Sequence, residues 1–179
     1  MKTVLTLGAA GVVALVASPP LGVGPDPAAS GPADPARARW QRLEQPAPDA
    51  DFRRLQGSVL KLRDLRGQVV LIDYWTTWCE PCVREMPDLV AFDAWARQRG
   101  DVVLLSVNED SDAGALARFL GKHRPAFTVL RPGPEDAFAV TSYPTKVFLD
   151  RQGVVRFRRA GGPVASSELR ALALELLRP

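Results

Sequence analysis

The sequence predicts an α/β domain built on a central mixed sheet with helices on both faces. Three observations carry that expectation. Residues Val69 to Trp75 form an apolar run broken only by Asp73, as expected for a central strand buried on both sides. Strand-like and helix-like segments then alternate, and parallel neighbours need such crossover helices. Two final strand-like runs flank Asp150-Arg151-Gln152-Gly153, a connection suited to an antiparallel hairpin.

The 179 residues suffice for one ordinary domain and a tail. Hydrophobic residues make up 46% and charged residues 24%, a balance that fits a globular chain. The net charge of +3 is scattered, and the densest basic run, Arg156, Arg158 and Arg159, accompanies no reading motif, so no nucleic-acid partner is expected. Met1-Lys2-Thr3 precedes an uncharged apolar stretch, Val4 to Ala17, shorter than the ~20 residues of a spanning helix. Residues 1–18 therefore read as a signal peptide or an N-terminal membrane anchor, and the protein as periplasmic or otherwise extracytoplasmic. Residues 19–49, rich in Pro, Ala, Gly and Asp, cannot bury enough surface to offset their ordering entropy and read as a linker. The folded domain is expected over 50–179.

Within it, Phe52 to Gln56 and Val59 to Leu62 read as an N-terminal hairpin around Gln56-Gly57. After the buried strand 69–75, Met86, Leu89, Val90, Phe92 and Trp95 recur at helical spacing and predict a helix from Glu80 to Arg99, stopped by Gly100. Val102 to Val107 is a second buried strand. Ser111 or Asp112 can cap a helix reaching Lys122, and Phe127 to Leu130 reads as a short strand. Glu135 to Val140 reads as a helical turn, Thr145 to Leu149 and Val154 to Arg158 as the closing hairpin, and Ser166 or Ser167 as the cap of a last helix.

The two cysteines, Cys79-Glu80-Pro81-Cys82, fall where the first buried strand gives way to its helix. A helix N-terminus favours a thiolate through its partial positive charge and unpaired N–H groups. Cys82 lies one turn on, within reach of a disulfide, and Pro81 fits the first turn, where its missing N–H costs nothing. The pair is thus placed to cycle between dithiol and disulfide, Cys79 attacking and Cys82 resolving. A closed zinc site would need four ligands, and the chain offers two cysteines and His123. A Cu(I) carrier remains the non-enzymatic alternative, since thiolates suit that ion, although no Met cluster supports it.

The stretch from Val69 through Thr76-Thr77-Trp78-Cys79-Glu80-Pro81-Cys82 to Glu85-Met86-Pro87 resembles the active site of the thioredoxin superfamily. More narrowly it resembles the TlpA/ResA-like exported thiol–disulfide oxidoreductases, a redoxin, AhpC/TSA-related group, with W-C-x-P-C followed by E-x-P. The likeness runs from about Phe52 to the C-terminus and implies a thioredoxin-like fold, with a helix–strand insertion at Ser111–Leu130 before the loop Tyr143-Pro144-Thr145. That loop matches the superfamily's cis-proline loop, so the resemblance implies a cis Pro144 and a substrate groove flanked by Trp78, Tyr143, Pro144 and Thr145. Glu80 and Glu85 would tune the pair, since a nearby carboxylate opposes the thiolate and favours a reductant. Asp73 departs from the branch, which usually has asparagine there; an acid buried behind the disulfide could relay the proton of Cys82. Lys146 is a second departure, standing where the branch more often has a small hydroxyl residue.

The implied function is reduction of protein disulfides outside the cytoplasm, with apocytochrome c as one client class. It needs no cofactor beyond the Cys79–Cys82 disulfide, no metal, a membrane thiol donor to recharge it, and a monomer suffices. A disulfide oxidase or isomerase, or a thiol peroxidase suggested by the T-x-x-C of Thr76 to Cys79, are the enzymatic alternatives.

Overall fold

The computed structural model describes residues 39–133 and 138–178. The apolar segment at residues 1–18, the linker up to residue 38 and residues 134–137 of the expected turn at Glu135 to Val140 lie outside these residues. The described chain forms an eight-stranded sheet: β1 Gln41–Pro46, β2 Asp51–Arg54, β3 Val59–Lys61, β4 Val69–Trp75, β5 Val102–Asn108, β6 Val129–Pro132, β7 Thr145–Leu149 and β8 Val154–Ala160. The spatial order is β1-β8-β7-β4-β5-β6-β2-β3. β4 sits mid-sheet, parallel to β5 and antiparallel to β7, and all seven of its residues are buried. That environment explains its unbroken apolar pattern.

Among the described residues three α-helices pack on the sheet: α1 Glu80–Arg99, α2 Ala113–His123 and α3 Ser166–Leu177. Gly100 ends α1 in the left-handed conformation, at φ 78°. Asp112, the second of the two expected candidates, caps α2 by accepting Gly114 N–H at 2.7 Å.

Three expectations need correction. Order begins before Phe52: β1 pairs with β8, and Trp40 is buried against Phe148 at 5.7 Å while donating to Glu168 at 2.6 Å. β1 exposes nearly every side chain, so its sequence carries no apolar alternation. The short strand expected over Phe127–Leu130 forms two residues later, at Val129–Pro132, because its partners are Ser106 and Val107 of β5 and residues 52–54 of β2. Neither Ser166 nor Ser167 caps α3; Ala165 holds that position without a side-chain bond, and Ser166 N–H donates to Asp88 Oδ1 of α1 at 2.8 Å. A neighbouring helix thus satisfies an end the sequence leaves open.

Helical elements divide between the two faces of the sheet among the described residues. Buried apolar side chains of α1, α2 and α3 all join one core cluster with Leu71, Trp75 and Phe148 of the sheet. The cluster on the opposite face holds Ile72, Tyr74 and Val147, and it is closed by Phe52, by the 3-10 turn Leu62–Leu65 and by Phe138. Fully burying a side chain such as Phe92 or Phe148 contributes about 1.5–3 kcal/mol. Phe92 of α1 meets Phe148 of β7 edge-on, with ring centroids 6.4 Å apart, which packs the helix against the sheet.

Candidate active site

Cys79 is the N-cap of α1, and a turn built by its predecessors delivers it there. Cys79 N–H donates to Thr76 O at 3.3 Å. The Thr77 N–H and hydroxyl both donate to the buried Asp110, each at 2.9 Å. Asp110 also accepts from Asn108 Nδ2 at 2.6 Å, and Arg131 Nη1 holds Asn108 Oδ1 at 2.7 Å. The loop before the cysteine is therefore pinned to the end of β5. Sequence reasoning missed this brace; an Asn-Glu-Asp run directly after a buried strand was its only signal.

Cys79 and Cys82 form a disulfide with a Cα–Cα distance of 5.3 Å. Cys82 N–H donates to Cys79 Sγ at 3.3 Å, so a free amide of the first helical turn is aimed at that sulfur. Cys79 is 5% exposed and Cys82 is not exposed at all. Pro81 occupies the first turn, as expected.

Beside the pair stand the exposed Trp78, the half-buried Tyr143 and the buried Pro144 and Thr145. Trp78 is 71% exposed and meets Tyr143 edge-on, with ring centroids 5.7 Å apart. Tyr143–Pro144 is a cis bond, and the Tyr143 hydroxyl donates to Glu109 Oε2 at 2.5 Å. Pro144 O accepts Gly161 N–H at 2.7 Å, and the Thr145 hydroxyl donates to Ser142 O at 2.7 Å. Of the residues expected to flank a groove, Trp78 and Tyr143 are in ring contact, and Pro144 and Thr145 follow Tyr143 in the chain as buried residues. Glu80 lies at the surface: its side chain is 81% exposed and pairs with Arg84 one turn along. Solvent and Arg84 both weaken its field at Cys79.

Beneath the pair lies a buried ionic cluster. Asp73 of β4 and Glu85 of α1 are both fully buried, and the Lys146 ammonium bridges them, 2.8 Å from Asp73 Oδ1 and in contact with Glu85 Oε1. Glu85 Oε2 accepts Val164 N–H at 3.0 Å. Burial, reinforced by the Asp73 charge and only partly offset by Lys146, pushes Glu85 up to about 7. Burial alone would depress Lys146, but the charges of Asp73 and Glu85 hold it above its ordinary value. The Lys146 departure noted in the sequence is therefore the counter-ion of both acids. Its signal was a lone charge inside the apolar strand Thr145–Leu149; its partners came only with the sheet register Asp73↔Lys146.

This arrangement supports thiol chemistry: a sulfur at a helix end, a second sulfur buried behind it, titratable acids below, and an exposed aromatic beside a cis-proline loop. Comparison with known proteins agrees. The AhpC/TSA family profile matches residues 43–158. The thioredoxin-like protein YneN of Bacillus subtilis is 30% identical over 115 residues, covering 63% of this chain and 68% of that protein. The thiol-disulfide oxidoreductase ResA of Halalkalibacterium halodurans is 27% identical, over 70% of this chain and 71% of its own. Among solved structures, a Chlorobium tepidum protein assigned as the thiol:disulfide interchange protein DsbE superposes with a TM-score of 0.66 at 27% identity, covering 77% of this chain and 99% of that one.

Proposed function

The chain belongs to the AhpC/TSA family and is a thiol–disulfide oxidoreductase of thioredoxin-like fold; from that premise we propose that it reduces protein disulfides outside the cytoplasm through Cys79 and Cys82. The observation that carries the reading is the hydrogen bond from Cys82 N–H to Cys79 Sγ, combined with complete burial of Cys82. It separates the roles. The helix end favours Cys79 as the thiolate, while Cys82 is shielded from every partner except a disulfide already formed on Cys79.

In the proposed cycle the Cys79 thiolate attacks a client disulfide. A Cys79–client disulfide forms, the client S–S bond breaks, and the departing client thiolate takes up a proton. Cys82 then loses its proton to an ionised carboxylate of the buried Asp73–Glu85 pair and attacks Cys79 Sγ. The internal disulfide forms, and the second client sulfur leaves as a thiolate. The client gains two electrons, and a dithiol donor at the membrane returns them to the pair. No cofactor beyond the disulfide enters.

The direction of electron flow rests on the buried cluster rather than on Glu80. Two carboxylates outnumber the one lysine, and the net negative charge of the ionised cluster opposes a thiolate, which destabilises the reduced, ionised form and favours giving electrons away. Trp78, Tyr143, Pro144 and Thr145 flank the proposed client groove, and apocytochrome c cysteines are the client class the resemblance suggests. The apolar segment Val4–Ala17 supports export. A secreted thiol-disulfide isomerase from Corynebacterium glutamicum shares the fold, with a TM-score of 0.67 at 22% identity.

The test is turnover of insulin disulfides by the protein charged with a dithiol. Activity is expected, with its loss in Cys79→Ser and accumulation of a protein–client mixed disulfide in Cys82→Ser. A Cys79→Ser variant that still reduces insulin contradicts the reading.

A further inference from the structure

Asp73, Lys146 and Arg159 are register partners across β4, β7 and β8, so their side chains leave the same face of the sheet. Arg159 is engaged elsewhere: its Nη1 meets Glu168 Oε1 of α3 at 3.1 Å, and that oxygen also accepts from Trp40. Lys146, 1% exposed, is left to serve Asp73 from its own sheet and Glu85 from α1. Asp73 Oδ2 is buried and accepts no hydrogen bond, which leaves it an open position for a proton. The charged groups facing this site are thus Asp73 on β4, Glu85 on α1 and Lys146 on β7, with the Arg159–Glu168 pair of β8 and α3 alongside.

Two carboxylates and one ammonium carry −1 when all are ionised. Burial penalises net charge, so one added proton gives a neutral cluster with one carboxylate still ionised. Without the ammonium, neutrality requires protons on both carboxylates, and no base remains. That matters for Cys82, which is fully buried and lies three residues before Glu85 on the same face of α1. Water cannot take its proton.

We propose that Lys146 is a positioning residue for the resolving step: shared between Asp73 and Glu85, it keeps one carboxylate ionised beneath Cys82 as the base that accepts the thiol proton. The inference rests on the exchange cycle proposed above. In the step concerned, the Cys82 S–H bond breaks and its proton passes to a carboxylate oxygen. The Cys82 sulfur then bonds Cys79 Sγ, and the electron pair of the broken mixed disulfide leaves on the client thiolate. No further reactant is needed.

The test uses the reduced full chain and a disulfide reagent that releases coloured nitrothiobenzoate twice, once on attack by Cys79 and once on resolution by Cys82. In Lys146→Met the second release is expected to slow about tenfold at neutral pH, its pH midpoint moving up by about one unit, since one unit is a tenfold change. The slowing is expected to be confined to that second release, and Lys146→Arg to recover most of the rate. An unchanged midpoint, or equal slowing of both releases, overturns the proposal. Absence of a second release in the unaltered protein overturns instead the exchange cycle itself. Should Lys146→Met fail to fold, Lys146→Gln takes its place, with the same slowing expected in the second release alone and the same results overturning the proposal.

Discussion

Glu80 and Glu85 stand five residues apart on one helix, both within a turn or two of the same disulfide. Glu80 projects into solvent and meets Arg84, itself more than half exposed. Glu85 points into the core, where it meets Lys146, 1% exposed, and the backbone of Val164. From the sequence both read as acids that oppose a thiolate. In the proposed cycle that task falls to Glu85, because a charge acts strongly on its neighbour only where water does not screen it. The rim above the disulfide is therefore tolerant of charge, and the layer below it is not.

The largest expected effect comes from breaking the lower layer. Lys146→Met strands two buried carboxylates and should cost about 3–5 kcal/mol, read from urea unfolding at neutral pH. A loss below about 1 kcal/mol would mean that water reaches the cluster. Next in size is the loop brace. Asp110→Ala leaves the Thr77 N–H and hydroxyl and Asn108 without their acceptor, and should cost about 1–3 kcal/mol and slow the first attack on a disulfide.

The pH dependence sharpens the comparison further. Glu85 holds its proton more tightly folded than unfolded, so between about 4.5 and about 7 the native state binds more protons. Stability from this group is therefore complete below about 4.5 and is lost as pH rises through about 7. Unfolding midpoints at pH 5 and pH 8 should differ in that sense, and Glu85→Gln should flatten the difference. The smallest effect belongs to the rim: Glu80→Gln removes an exposed pair one turn apart and should cost no more than about 0.5 kcal/mol, with little change in the pH profile.

Much of the site was legible because it is local. An apolar strand, a Cys-x-x-Cys and an amphipathic helix in immediate succession place Cys79 at a helix end, with Cys82 one turn inward. The cis-proline loop was legible only through resemblance, since nothing in Tyr143-Pro144 by itself selects the isomer. The Lys146 pairing was not legible. It depends on β4 and β7, more than seventy residues apart in sequence, meeting in the register Asp73↔Lys146, and a one-residue slip would have turned Lys146 to the other face. β1 escaped for the opposite reason. An edge strand held by backbone bonds and by Trp40 needs no apolar pattern, so its residues read as linker. The gathering of three helices on one face likewise followed from strand order, which local periodicity does not contain.

The central claim is that the layer beneath the disulfide makes the pair a donor of electrons, and the reduction potential of Cys79–Cys82 tests it most directly. Equilibration with defined thiol buffers should give a value near or below thioredoxin's, about −270 mV. A value approaching about −120 mV, that of a strong oxidant, would contradict the account and assign the protein to disulfide formation.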